Sequence, residues 1–192
     1  MVLASASPRR RELLRSLCPE FIVMPSEIDE TLPPGPPAAA AERLALDKAR
    51  AVAARVGAGV VLGADTIVVV GGEVLGKPAT VEDARRMLKQ LRARQHEVIT
   101  GVAVVEAPSG RSETTAVVSR VRMADYGETE IEAYLASGEP FDKAGAYAIQ
   151  GRGSALVAGL DGSFTNVVGL PLAETARLLG AFGVAVNEPP ER

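Results

Sequence analysis

Tryptophan is absent from this chain of 192 residues, and aromatic side chains make up only 4% of it. A stacking platform for single-stranded nucleic acid has little to be built from. The formal net charge of −3 also denies a backbone-phosphate binder its basic surface, so no nucleic-acid partner is expected. One cysteine, Cys18, excludes an internal disulfide and fits a reducing compartment. Between Leu17 and Pro19 it reads as a small buried side chain. One histidine, His96, rules out His-rich metal sites and any triad not built on it; a structural, hydrogen-bonded imidazole is the expected role. No apolar run reaches membrane-spanning length. Met1 to Ala4 is too short for a secretory segment, and Arg9 to Arg11 follow it rather than precede it, so a cytoplasmic location is expected.

Lysine is scarce as well, at four residues against 17 arginines. Lys89 belongs to an ordinary helix surface. Lys48, Lys77 and Lys143 become candidates for positions where a compact point charge is needed instead of a planar fork. What remains is ordinary for a globular protein, with 47% hydrophobic and 23% charged residues. The length suits residues 1–192 as a single domain, with a possible smaller lobe at about 95–125.

The stretch from Val60 to Pro78 is the most apolar and β-branched, and predicts a central strand with a hairpin turn at Gly71-Gly72. Asp65 sits in the middle of it. A buried carboxylate without partners costs several kcal/mol, roughly, so a metal, a lysine or a ligand is required. The alternative is that Asp65 and Thr66 satisfy a bend in the sheet. Gly57 to Gly63 has a dinucleotide-like spacing but follows a helix and opens a strand, the reverse of the required order. Gly71 to Lys77 has phosphate-loop spacing, but Pro78 replaces the hydroxyl residue and the glycines form a hairpin. Both motifs are rejected. Lys77 still lies within reach of the Asp65 strand.

The remaining elements follow from caps and periodicity. Val2 to Ala4 predicts a strand, then Ser7 and Pro8 open a helix to about Leu17 with Leu13, Leu14 and Leu17 inward. Arg9, Arg10 and Arg11 fill its first turn, where the helix dipole disfavours cations. Broken local rules point to function, and guanidinium groups at a helix start suit phosphate; alternatively the arginines pair with surface acids. A strand at Glu20–Met24 precedes Glu27, Asp29 and Glu30, which read as a solvated charge run or as a source of one hard oxygen ligand. A helix follows over 38–56, and another after the Thr80 cap through Arg92. An antiparallel hairpin spans His96–Glu106 and Glu113–Ala124, and a short helix Glu128–Ser137. The glycine-flanked segment 138–151 is too specific in residue type for a plain connector. Asp142 and Lys143 bring charge to it, and Gln150 can give and accept hydrogen bonds at a base edge. Strands at Ala155–Asp161 and Phe164–Val168, a helix Pro171–Phe182 and a frayed tail from Asn187 complete the reading.

Cations gathered around one or two carboxylates, with no nucleophile–base pair, favour metal-assisted attack on a phosphate ester or anhydride. From the residues alone the reading stops at binding or hydrolysis of a small polyphosphate. Six motifs extend it: Ser5-Ala-Ser-Pro-Arg-Arg10, Leu62-Gly-Ala-Asp-Thr66, Gly76-Lys-Pro78, Asp142-Lys-Ala-Gly-Ala-Tyr147, Ile149-Gln-Gly151 and Asn166-Val-Val-Gly-Leu-Pro-Leu172. In this order and from end to end, they resemble the Maf family of nucleoside triphosphate pyrophosphatases. The fifth, with Asp142 to Tyr147, looks like the dTTP/UTP branch.

That resemblance implies an α/β fold of the inosine-triphosphatase-like type: a mixed, strongly bent sheet with flanking helices and two lobes around a cleft, often as a homodimer. It implies hydrolysis to nucleoside monophosphate and pyrophosphate with a divalent cation, Mg2+ or Mn2+. By position, Asp65 matches the family's proton acceptor, and Arg9, Thr66 and Gln150 its specificity positions. Ser7, Arg10, Glu30, Lys48, Lys77, Asp142 and Lys143 fall where the family places phosphate or metal contacts. Asp65, Lys77 and Lys48 are thus the expected catalytic groups, and Asp65 with Glu30 the expected metal ligands. Arg11 extends the arginine pair as a surface residue. The rival reading is a nucleotide-binding regulator of cell division that does not turn its ligand over and has no need of Asp65.

Overall fold

A computed structural model describes residues 1–189. Its sheet is assembled from β1 (Val2–Leu3), β2 (Ile22–Val23), β3 (Gly59–Val70), β4 (Glu73–Leu75), β5 (Gln95–Ala107), β6 (Ser112–Met123) and β7 (Val157–Asp161). The order is β2-β1-β3-β5-β6-β7, with β4 beside β3. β1 pairs in parallel with β2 and β3, whereas the hairpin-linked strands are antiparallel. The sheet is therefore mixed, and helices α1 (Pro8–Leu17), α2 (Pro37–Ala53), α3 (Val81–Leu91), α4 (Glu128–Ala136), α5 (Phe164–Val168) and α6 (Leu172–Ala181) flank it. None of the described helices is long and apolar enough to cross a membrane.

Alternation along β3 explains how both faces are covered. Leu62 and Ala64 join Leu14, Leu17, Val102, Val104 and Leu178 in the core beneath α1 and α6. Val61 points to the other face and packs with Ala45, Ala49, Val52 and Ala103 beneath α2. A third cluster buries Leu88 and Leu91 of α3 against Val68, Val98, Val121, Ile131 and Tyr134. On the α2 face two glycines permit close approach. A Cβ at Gly63 would lie 2.3 Å from the Ala45 carbonyl oxygen, and one at Gly101 would lie 2.3 Å from Ala41 backbone atoms. Any side chain there lifts α2 away.

The partner of β3 on one edge changes midway. β1 accompanies it as far as Leu62, and β4 begins only at Val68. Between them, residues 63–67 form a notch in that edge. Asp65 and Thr66 occupy the notch, and strand alternation sends their side chains to opposite faces of the sheet.

Four expectations are corrected. Phe164–Val168 is a helix, not a strand: Ser163 accepts a hydrogen bond from the Asn166 N–H as its cap, and Gly169 at φ 123° ends it. The strand expected over Glu20–Met24 contracts to two residues because only these pair with β1. Cys18 is half-buried, its thiol donating to the Glu20 carbonyl. The tail is anchored where fraying was expected, Asn187 N–H donating to the Leu17 carbonyl at 2.8 Å; its last three residues lie outside the described ones. His96 is buried and structural, bonded through Nε2 to the Tyr147 hydroxyl at 2.7 Å.

Candidate active site

The notch in β3 opens into a cavity of about 640 Å³, a volume suited to a nucleotide-sized ligand. Its lining includes Ser7, Arg9, Arg10, Glu30, Lys48, Asp65, Thr66, Lys77, Asp142, Lys143 and Gln150. These candidates therefore border one space, although the chain brings them from residue 7 to residue 150. Arg11 is exposed and not among the lining residues.

The floor is an ion cluster. Lys48, buried on α2, donates from Nζ to Asp65 Oδ1 at 2.8 Å and lies 2.8 Å from Glu30 Oε1. Lysine is thus the partner that the buried Asp65 required. Burial pushes the Glu30 carboxyl up, but the Lys48 hydrogen bond and the charges of Lys48, Lys77 and Arg10 outweigh it and hold it below the usual carboxylate range. Of the three acids in that loop only Glu30 enters the cavity. Asp29 closes a turn onto Thr31 and Glu27 faces Arg55. Lys77 is exposed and stands 3.9 Å from Glu30 Oε2.

The arginines at the start of α1 separate by role. Arg10 donates from Nε to the Gly169 carbonyl at 2.9 Å and from Nη2 to Thr66 Oγ1 at 3.0 Å, and Ser5 Oγ receives its Nη1 at 3.4 Å. Burial lowers its pKa below the arginine value, Asp65 and Glu30 opposing that effect, yet a guanidinium remains charged at any physiological pH. Arg9 crosses the mouth to Asp142 Oδ2 at 3.0 Å. Ser7 caps the helix by accepting the Arg10 N–H at 3.4 Å, and Pro8 has no N–H to offer. Attraction for an anion here comes from guanidinium groups more than from free helix amides.

The turn that carries Gln150 into the cavity lining is held by side chains that sequence reasoning passed over. Glu139 accepts the backbone N–H groups of Arg152 at 3.2 Å and Gly153 at 3.4 Å, and the Tyr134 hydroxyl accepts that of Ala148 at 3.2 Å. Gly151 sits at φ 65°, where a Cβ would meet the Glu139 carboxylate at 3.1 Å. The pattern Glu139 followed by a glycine-bracketed turn twelve residues on is the only signal for this clamp, and it is weak. Thr100 also escaped notice, and Ser5 was quoted in a motif without a role: a threonine in an alternating strand and a serine before a helix carry no local mark of function.

No cluster of three or more potential His, Cys, Asp or Glu ligands occurs among the described residues. The hard donors facing the cavity floor are Asp65 and Glu30, both held by Lys48. Two carboxylates fit Mg2+ or Mn2+ in the mode where ligand phosphates complete the coordination.

Fold and pocket together define a mixed α/β protein whose cleft, cationic at the walls and acidic at the floor, is built for a phosphate-bearing small molecule. The chain belongs to the Maf family, whose model, described as Maf-like protein, matches residues 1–182. It is 56% identical over 187 residues to the dTTP/UTP pyrophosphatase of Moorella thermoacetica, covering 97% of this chain and 96% of that protein. It is 57% identical to the dTTP/UTP pyrophosphatase of Anaeromyxobacter sp. strain Fw109-5, covering 95% and 89%. The solved structure of the Staphylococcus aureus Ham1 protein superposes in part, with a TM-score of 0.46 and 20% identity over 66% of this chain and 74% of that one.

Proposed function

We propose that this protein hydrolyses nucleoside triphosphates, dTTP and UTP foremost, to the monophosphate and pyrophosphate. The observation that carries the reading is the convergence of Asp65, Lys48, Glu30, Lys77, Arg9 and Arg10 on one nucleotide-sized cavity. Relatives more than half identical and named dTTP/UTP pyrophosphatase support the substrate class.

In this mechanism water attacks the α-phosphorus as the bond to the α–β bridging oxygen breaks, and pyrophosphate leaves with that oxygen. Asp65 takes the proton of the attacking water. Lys48 acts through Asp65 and Glu30, holding two carboxylates side by side that would otherwise repel. Arg9, Arg10, Lys77 and Lys143 stabilise the charge that develops on the leaving group, Ser7 supplies a hydroxyl donor at the helix start, and Gln150 meets the base. A bound divalent cation would be held by Asp65 and Glu30 and would polarise the phosphate oxygens. Asp142 keeps Arg9 and Lys143 in place at the mouth.

The test is pyrophosphate release from each common nucleoside triphosphate, with and without Mg2+ or Mn2+, by the wild-type protein and by Asp65→Asn. Release from dTTP and UTP that disappears in the variant while nucleotide binding persists supports the proposal. Binding without release in the wild type establishes the non-hydrolytic regulator instead.

A further inference from the structure

A chain of hydrogen bonds runs from the cavity into the core. Arg10 Nη2 lies 3.0 Å from Thr66 Oγ1, Thr66 Oγ1 lies 2.9 Å from Thr100 Oγ1, and Thr100 Oγ1 lies 3.0 Å from the Asn166 carbonyl oxygen. Thr100 is fully buried, and so is Asn166, whose Nδ2 donates to the Val98 carbonyl and to Ser119 Oγ, fixing α5 against the sheet. Thr66 and Thr100 are also directly opposite across the β3–β5 ladder. The middle pair is ambiguous in isolation, since either hydroxyl can donate.

Its ends remove the ambiguity. A guanidinium only donates and a carbonyl only accepts. Thr100 has one hydroxyl hydrogen, and the Asn166 carbonyl takes it. Thr100 must then accept from Thr66, which spends the Thr66 hydrogen. Of the two lone pairs on Thr66 Oγ1, one receives Arg10, and the other is left for a ligand in the cavity that Thr66 lines. All donors point one way along the chain, the arrangement in which successive hydrogen bonds strengthen one another.

We propose that Thr100 is a positioning residue that fixes the Thr66 hydroxyl as an acceptor toward the ligand, so that Thr66 reads a donor group of the nucleoside and cannot bind phosphate oxygen. This deepens the proposed function, on which it rests. Two parts of a pyrimidine nucleotide offer such a donor: the N3–H of a uracil or thymine ring, and a sugar hydroxyl. Phosphate oxygens, O2 and O4 of the ring offer only lone pairs and are excluded.

The experiment compares UTP with N3-methyl-UTP and with 2′,3′-dideoxy-UTP in the wild type, Thr100→Val and Thr100→Ser. Affinity for the non-hydrolysable α,β-methylene forms is measured beside turnover. The wild type is expected to discriminate at least about tenfold against the analogue lacking the donor it reads; N3-methyl identifies the base, dideoxy the sugar. Thr100→Val, which keeps the shape and removes the hydroxyl, frees Thr66 to rotate and donate, so the ratio of UTP to that analogue is expected to fall severalfold. Methyl bulk at N3 is common to both proteins and cancels in the comparison. Thr100→Ser is expected to restore the ratio. Equal binding of all three ligands by the wild type, or an unchanged ratio in a folded Thr100→Val protein, overturns the proposal. If no triphosphate is hydrolysed, the proposed function fails, while the affinity ratios still decide the role of Thr100.

Discussion

Lys48 Nζ and Asp65 Oδ1 lie 2.8 Å apart, joined from a helix and a strand whose separation glycine sets. Gly63 and Gly101 leave no Cβ between the sheet and α2, so the lysine on α2 reaches the notch with its chain buried. Asp65 therefore meets the cavity already paired, and the positive charge beneath it does not depend on a ligand. Lys48→Met removes that charge and leaves Asp65 and Glu30 facing each other. Stability is expected to fall by about 3 kcal/mol, the cost of orphaning a buried ionic partner, and turnover by about 100-fold or more. Urea denaturation and pyrophosphate release measure the two losses. Stability within about 0.5 kcal/mol of wild type, the scale of a neutral surface change, would show that the pair carries little.

The helix–sheet spacing is tested at Gly101. Gly101→Ala places a methyl 2.3 Å from Ala41 backbone atoms and is expected to cost about 2 kcal/mol as overpacking. It also raises α2 and draws Lys48 from Asp65, so activity falls with stability. Gly57→Ala is the control, having nothing within 4 Å of the new methyl; it leaves both unchanged.

Glu139 sets the Gln150 turn through backbone N–H groups alone. Glu139→Ala is expected to raise KM severalfold with kcat nearly unchanged, because the clamp bears on the Gln150 turn, proposed to meet the base, and not on the side chains proposed to hold the phosphates. Hydrogen exchange at the Arg152 and Gly153 amides should accelerate in the same variant. An effect on kcat alone contradicts this assignment.

How much of this was legible in the sequence follows from where each signal lies. Caps and alternation located β3, the β5–β6 hairpin and most helices, since these depend on neighbours a few residues away. Most of the charged candidates were legible because they broke a local rule: Asp65 in an apolar run, arginines at a positive helix end, lysines in an arginine-rich chain; Glu30 and Asp142 broke none. Phe164–Val168 misled because Val167 and Val168 favour strand, while Ser163 and Gly169, a cap and a stop, were the better guide. Thr100 carried no signal and Glu139 only a weak one. Their partners, Thr66 and the Gly153 amide, become neighbours only when the sheet and loop are assembled.

His96 gives the fold a pH dependence. Burial lowers its pKa from 6.5 to about 4, so the unfolded chain takes up a proton before the folded one does. Unfolding then binds a proton between these values, and stability falls as pH drops from about 6.5 toward 4. The expected decline in Tm through that window flattens in His96→Gln, whose side chain does not titrate. An identical slope in the variant would place the acid sensitivity elsewhere; Glu30, whose pKa is lowered from 4.5, acts in the same direction but only at the acid end of that window and below it.

Attack at the α-phosphorus beside Asp65 is tested most directly by turnover in water enriched in heavy oxygen, with mass analysis of both products. The expected result is one heavy oxygen in the nucleoside monophosphate and none in the pyrophosphate. Label in the pyrophosphate, or release of orthophosphate in its place, would mean that another bond is cut and would contradict the account.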